Sequence, residues 1–369
     1  MKTVCEKDKC DGCMACLNVC SKHAIKVHDS MKAYNAIIDE NSCINCGACQ
    51  RICQRRQSVA PLTKPIYWKE GWAEDETLRK ESSSGGFAAA IEQAFIESGG
   101  IVCSCAFLHG EFSFVFAETK EQTQCFKGSK YVKSNPKEVY PKISNYLKDG
   151  RNLLFVGLPC QVAAVKNYIG DNEKLFTVDL ICHGTPSSQI LELFLNNYNC
   201  SLKQLRDISF RTKTIFGLKQ LQKRFTVPTV QDSYTIAFLH SLSYTENCYD
   251  CKYASLNRIS DITLGDSWGS NLSSDIQEKG VSLALCQTEK GQKLLEQSNL
   301  YLLDVSLEQA VNNNHQLRHP SIKPKQRDYF FKQIERGKNF NWTIFRCYPK
   351  RYIKNIIKTI IYKYTSPCI

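Results

Sequence analysis

Eight cysteines near the start of the chain repeat one spacing, and few folds can satisfy it. Residues 10–20 read CDGCMACLNVC and residues 43–53 read CINCGACQRIC, each C-x2-C-x2-C-x3-C. Three thiolates from one tight loop can wrap three corners of an iron–sulfur cube, while the fourth, on the turn that follows, points at the other cluster. On that pattern Cys10, Cys13, Cys16 and Cys53 hold one [4Fe-4S] cluster, and Cys43, Cys46, Cys49 and Cys20 hold the second. The rival is a pair of zinc knuckles, but zinc takes two separated cysteine pairs per ion, not a run of four at these gaps. The proline that often follows the fourth cysteine is replaced by Ser21 and by Gln54, which changes the stiffness of the chain's exit but not the ligand set. Cys5 lies outside the repeat and reads as a spare thiol.

Twenty cysteines in 369 residues, with no secretory leader pattern, read as reduced thiols of a cytoplasmic protein, better explained by metal ligation than by disulfides. No run of 18 apolar residues occurs, which argues against a membrane-spanning helix. The length allows one small module and one larger domain. The boundaries read as a two-cluster ferredoxin-type domain over 1–58, a linker over 59–76, two halves of a larger domain over 77–150 and 151–340, and a tail over 341–369. The fold class expected is α+β to α/β, a bacterial-type ferredoxin-like domain followed by a mixed α/β domain.

Residues 54–76 carry two prolines and mixed charge without a period, so they read as a connector. In ESSSGGFAAAIEQAFIESGG, serines and a glycine pair open a helix that Gly99 and Gly100 close; such a start suits an anion, and suits an ordinary capped helix equally. A hairpin around His109-Gly110-Glu111 follows, then FKGSKYVKSNP, either a solvated basic loop or a second contact to an anion. NLLFVGLPCQVAAVKNYIG and LFTVDLICHGTPSSQILELFLNNY each read as strand, turn and helix. Parallel strands joined by a right-handed crossover bring Cys160 and Cys182 to one sheet edge, the edge where such sheets bind ligands. Cys248 and Cys251 add a C-x2-C pair. The four could hold a cluster or zinc, or the CxxC alone could be a redox dithiol.

In order, SSSGGF, SKYVKS, GLPCQVAAVK, LICHGTPS, CYDC, DITLGDSWG and NNNHQLRHPSIKPKQRDYFF resemble the coenzyme F420 hydrogenase/dehydrogenase beta-subunit family, in the form with a fused N-terminal ferredoxin domain. The resemblance implies FAD and a third [4Fe-4S] cluster. It implies that Ser83, Ser84, Gly85, Gly86, Ser129, Lys130, Tyr131 and Ser134 help form the FAD site, and that Cys160, Cys182, Cys248 and Cys251 hold the cluster. His183, Asp266 and Trp268 match positions near the redox centre; His183 is the candidate catalytic proton donor, with a structural histidine as the rival. Leu158 stands where the family motif has threonine.

The activity implied is oxidoreduction between iron–sulfur carriers and a deazaflavin or other organic acceptor, with a redox partner protein or a small molecule at the far end. Fused forms are similar to proteins of surface-polysaccharide gene sets, so coenzyme F420 need not be the acceptor. A rival from another class is an electron-carrier subunit without substrate chemistry. The formal charge of +12 invites nucleic acid, but each cluster with its thiolates brings about −2 and a flavin pyrophosphate about −2, which removes roughly two thirds of the excess. No clustered aromatic platform or recognition motif supports a nucleic-acid partner. The basic balance that remains is in the tail, where Tyr352, Ile353, Ile356, Ile357, Ile360 and Ile361 alternate with lysines at helical spacing. That pattern fits peripheral contact with the inner face of a membrane, or docking of the same face onto the protein's own core.

Overall fold

The computed structural model describes all residues except 1, 58–60, 137, 222, 229 and 366–369. The boundary expected between residues 58 and 59 lies outside the described residues. The first module is built twice over: helix α1 (Ala15–Asn18) and strand β1 (Ile25–Asp29) follow the first cysteine loop, and α2 (Ala48–Ile52) follows the second. Strand β2 (Tyr34–Ile38) pairs antiparallel with β1, Ile25 opposite Ile38. Its apolar core is small, with Val4, Ile25, Tyr34, Ala36 and Ile38 packed against the cysteines themselves. In a core of that size metal binding adds directly to folding stability.

Strand β3 (Tyr67–Ala73) and helices α3 (Glu76–Glu81) and α4 (Phe87–Glu97) open the second domain. The strands that follow are β4 (Ile101–Leu108), β5 (Glu111–Ala117), β6 (Leu153–Val156) and β7 (Leu175–Leu180). Strands β8 (Ser209–Thr212), β9 (Ile215–Gln220) and β10 (Lys223–Arg224) form a small separate sheet. Strands β11 (Ile262–Asp266), β12 (Ser282–Cys286) and β13 (Leu300–Leu303) complete a sheet of eight, ordered β13-β3-β12-β11-β7-β6-β4-β5. Its centre is parallel, β4 with β6, β6 with β7 and β7 with β11. The all-apolar LLFV of β6 is buried throughout, as a strand covered on both faces requires. One face packs on Phe87, Ile91 and Leu295, the other on Ile143, Val162 and Val165. The helix Pro159–Ile169 crosses from β6 to β7 and starts next to Cys160.

Two expectations need correction. The stretch read as a linker supplies β3, which lies inside the sheet between β12 and β13, Tyr67 opposite Cys286 and Gly71 opposite Ser282. Its period is hidden because Glu70 is buried, satisfied by hydroxyl donation from Ser267 (2.5 Å) and Ser270 (3.0 Å). The tail boundary at 341 is also displaced: helix Phe340–Cys347 buries Phe340, Thr343, Ile344 and Cys347 in the core, and the exposed helix begins at Pro349.

One ion pair fixes the segment after the CxxC to the sheet. Arg258 and Asp179 are each at most 1% exposed; the guanidinium donates to Asp179 Oδ1 (3.0 Å) and to the carbonyls of Leu180 and Tyr253 (2.6 Å each). Breaking a buried pair leaves an uncompensated charge. Asp179→Asn should therefore lower the unfolding free energy by about 3 kcal/mol, read as a lower thermal midpoint by circular dichroism under anaerobic conditions.

Candidate functional site

The two cysteine loops share one backbone path. Gly12 and Asn45, each two residues after the first cysteine, and Met14 and Gly47, each one residue after the second, all take positive φ. That path turns an amide onto sulfur in both copies, Gly12 N–H to Cys10 Sγ and Asn45 N–H to Cys43 Sγ, 3.4 Å each. Hydrogen bonds to sulfur stabilise thiolates and tune a cluster. Cys10, Cys13, Cys16 and Cys53 line one cavity, so the fourth cysteine of the second repeat crosses to the first loop. The thiol of Cys49 is pushed up by burial and, after that, by its neighbours Cys20 and Cys43. Cys46 is exposed and Ile44 beside it is 60% exposed.

Cys5, read as a spare thiol, is buried in the first cavity and hydrogen-bonds the sulfurs of Cys10 and Cys53. No spacing signal pointed to it.

Cys160, Cys182, Cys248 and Cys251 come from three separate segments and line a second cavity. Burial comes first in raising the thiols of Cys182 and Cys251, followed by the other cysteines; Cys251 is pushed up to about 12. Four thiolates lining one cavity need a cationic core to offset their charge, so the donor set fits a metal centre. Thr185 N–H points at Cys248 Sγ (3.4 Å) and Lys133 Nζ at Cys160 Sγ (3.5 Å). Among the described residues no three His, Cys, Asp or Glu side chains converge on a point that a single ion could occupy.

Beyond it opens a cavity of about 410 Å³. Leu158, Cys182, His183, Gly184 and Thr185 line both it and the second cysteine cavity. Ser83, Ser84, Gly86, Ser129, Lys130, Tyr131 and Ser134 line it as expected; Gly85 does not, being set back against Gly71 O and Ser282. Gly86 takes φ +94 as the N-cap of α4, leaving the first-turn amides of that helix free to face an anion. Lys213, without a sequence signal, donates its ammonium to the carbonyls of Arg79, Ser82 and Ser84 and so sets the serine loop. Ser129 N–H donates to Ser83 Oγ (2.7 Å), joining the two predicted segments. Lys130 is half-buried, and its Nζ donates to Phe126 O and Lys127 O.

On the opposite wall Arg211 grips Asp266 through two nitrogens (2.6 and 2.8 Å) and reaches Tyr131 Oη (3.3 Å). Tyr131 stacks on Phe238 with ring centroids 4.3 Å apart. Arg211 lies in ISFRTKTIF, where nothing in the pattern marks its partner. Burial, then His315, lowers His183 to about 4, so it is neutral; Gln316 Nε2 donates to His183 Nδ1 (2.6 Å), leaving the histidine proton on Nε2.

The fold and the cysteine sites define an iron–sulfur protein with a ligand cavity at the carboxyl edge of a parallel sheet. Residues 9–56 match the 4Fe-4S dicluster domain, and residues 150–303 match the family described as the C terminus of the coenzyme F420 hydrogenase/dehydrogenase beta subunit. The chain is an iron–sulfur electron-transfer protein related to that family. It is similar to a chain in the F420-reducing [NiFe] hydrogenase complex from Methanosarcina barkeri, at 21% identity, covering 69% of this chain and 91% of that one with a TM-score of 0.49. No curated protein matches the chain in sequence.

Glu92 lines the inner end of the large cavity with no cationic partner in hydrogen-bond range among the described residues, and burial raises it to about 7. The folded state therefore holds the proton more tightly than the unfolded one, and this contribution to stability is lost as pH rises from about 4.5 through 7. Glu92→Gln should be roughly 3 kcal/mol more stable than the parent at pH 8 and close to it at about pH 4, measured by denaturant midpoints at the two pH values.

Proposed function

We propose that the chain is an oxidoreductase that passes electrons between its clusters and FAD held in the large cavity, to or from an organic acceptor. The acceptor class is a deazaflavin or a substrate of surface-polysaccharide metabolism. The observation that carries the reading is the shared wall: Cys182 and His183 border both the four-cysteine cavity and the large one. The cavity's volume lies within the range of cofactor pockets, and its amide-rich helix start meets the needs of a pyrophosphate. Bound there, FAD would supply conversion between one-electron transfer and two-electron or hydride chemistry. The chain's own residues position and tune. Ser83, Ser84 and Gly86 face the anion, Tyr131 gives a stacked aromatic wall held by Arg211, and neutral His183 offers an Nε2 proton within the cavity.

Cys160, Cys182, Cys248 and Cys251 would hold a third cluster between the ferredoxin clusters and FAD. The boundaries 1–58 and 77–150 stand as the proposed division, with the former linker's β3 assigned to the second domain and the last part, from 151, extended to the end of the core helix at Cys347. Anaerobically purified protein should carry iron and sulfide for three clusters and one flavin. Cys182→Ser should lose one cluster, keep the flavin and slow its reduction through the ferredoxin clusters by more than tenfold. Clusters without any flavin would establish the electron-carrier reading instead.

We also propose that the protein sits peripherally on the inner, cytoplasmic face of the membrane. None of the described helices is long and apolar enough to cross a bilayer. The final helix, Pro349–Thr365, buries no residue; Ile353, Ile356, Ile357, Ile360 and Ile361 are exposed, while its other side rests on the body through Tyr352 and an Asn355 hydrogen bond to Gln231 O (2.9 Å). That arrangement favours the lipid-facing reading over inward docking of the isoleucines. Lys350, Arg351, Lys354, Lys358 and Lys363 flank them, and each basic residue near anionic lipid is worth about 1 kcal/mol. The full chain should float with anionic vesicles and lose that binding in high salt. A form ending at Tyr348, which keeps the core helix, should stay at the bottom of the gradient; equal flotation by both discards the proposal.

A further inference from the structure

Lys133 is one of three lysines in the segment that reads as a basic loop, yet the fold buries it to 6% exposure. Its backbone N–H donates to Pro186 O (2.9 Å), and its side chain runs along the seam between the ferredoxin module and the second domain. A Cβ on Gly12, in the loop of Cys10 and Cys13, would stand 3.5 Å from Lys133 Cε. At the other end Nζ lies 3.5 Å from Cys160 Sγ and faces the four-cysteine cavity. Cys248, Asp11 and Tyr34 also lie close enough to act on its charge. The Asp11 carboxylate is already engaged through Oδ1 by Arg55 and Asn247. The ammonium therefore lies between two sets of cysteines, largely shielded from solvent, where a charge acts more strongly than at the surface.

We infer that Lys133 is an electrostatic positioning residue, whose ammonium makes the Cys160, Cys182, Cys248 and Cys251 site the easier of the two neighbouring sites to reduce. This rests on the proposed third cluster. When one electron leaves the site of Cys10, Cys13, Cys16 and Cys53 and arrives at the site of Cys160, no bond or proton need be exchanged. The added negative charge is met by a cation already in place. A merely structural lysine would serve packing and donate to Cys160, and would not bias where the electron resides.

The test is an anaerobic redox titration followed by electron paramagnetic resonance on the full, cluster-loaded chain. The third-site signal is the one missing from Cys182→Ser. Lys133→Met and Lys133→Gln should each move its midpoint to more negative values by at least a tenfold change in the reduction equilibrium, 59 mV for one electron. Lys133→Arg should keep it near the parent value. The midpoint of the outer site, Cys43, Cys46, Cys49 and Cys20, should not move in any variant. An unmoved third-site midpoint at full iron content overturns the inference, and so does loss of that cluster in both neutral variants, which makes Lys133 a structural prop. If the parent protein binds iron and sulfide for two clusters only, the third-site reading itself fails, and the iron analysis separates that outcome from the others.

Discussion

A buried carboxylate at the seam between the two parts of the molecule sets the geometry of everything around it. Asp11 is 3% exposed and lies on the first cysteine loop. Its charge is met by Arg55, 2.7 Å away, and by Asn247 Nδ2 at 3.0 Å. Arg55 in turn donates to the carbonyls of Asn247 and Asp250, which bracket Cys248. Removing any member would strand a charge in a poor dielectric, so the ferredoxin module and the CxxC turn are locked in one relative position. Asp11 lines both cysteine cavities as a result. Gln54 reinforces the lock, donating to Cys160 O (2.5 Å) and accepting from Tyr253 Oη. The residue that replaces the usual proline has become an interface contact, a role proline's ring could not fill.

From that lock the sites fall in a row. Cys46 is exposed at the outer end, the Cys10 cavity comes next, then the Cys160 cavity, then the large cavity that shares its wall. Cys46 is exposed whereas Cys10, Cys13 and Cys16 are buried, and burial strengthens the effect of each fixed charge. Lys133, Arg211 and Lys213 are placed along this path with their donors committed to named partners. The large cavity is thereby shaped by side chains whose donors are already committed to partners.

Much of this was legible in the chain. The paired quartets marked the two-cluster iron–sulfur module, which the match of residues 9–56 bears out. Strands β6 and β7 and the crossover helix announced themselves by apolar runs and turn residues, and so did the edge on which Cys160 and Cys182 stand. Where the reading failed, a buried polar group had replaced the expected apolar one. Glu70 concealed β3, and nothing in the pattern marked Lys133 as buried. Cys5 carried no spacing to mark it.

What the residues determined by themselves was therefore local: the ligand loops, the parallel unit, the capped helix at Gly86 and the amphipathic period of the tail. Each follows from interactions within a few residues or from a period the chain itself displays. Tertiary structure alone decided which polar groups meet across distance, namely Asp11 with Arg55, Arg211 with Asp266 and Lys133 with Cys160. It also decided that the isoleucine face of the last helix stays uncovered. Those choices depend on the three-dimensional competition for burial and charge compensation, which no one-dimensional pattern records.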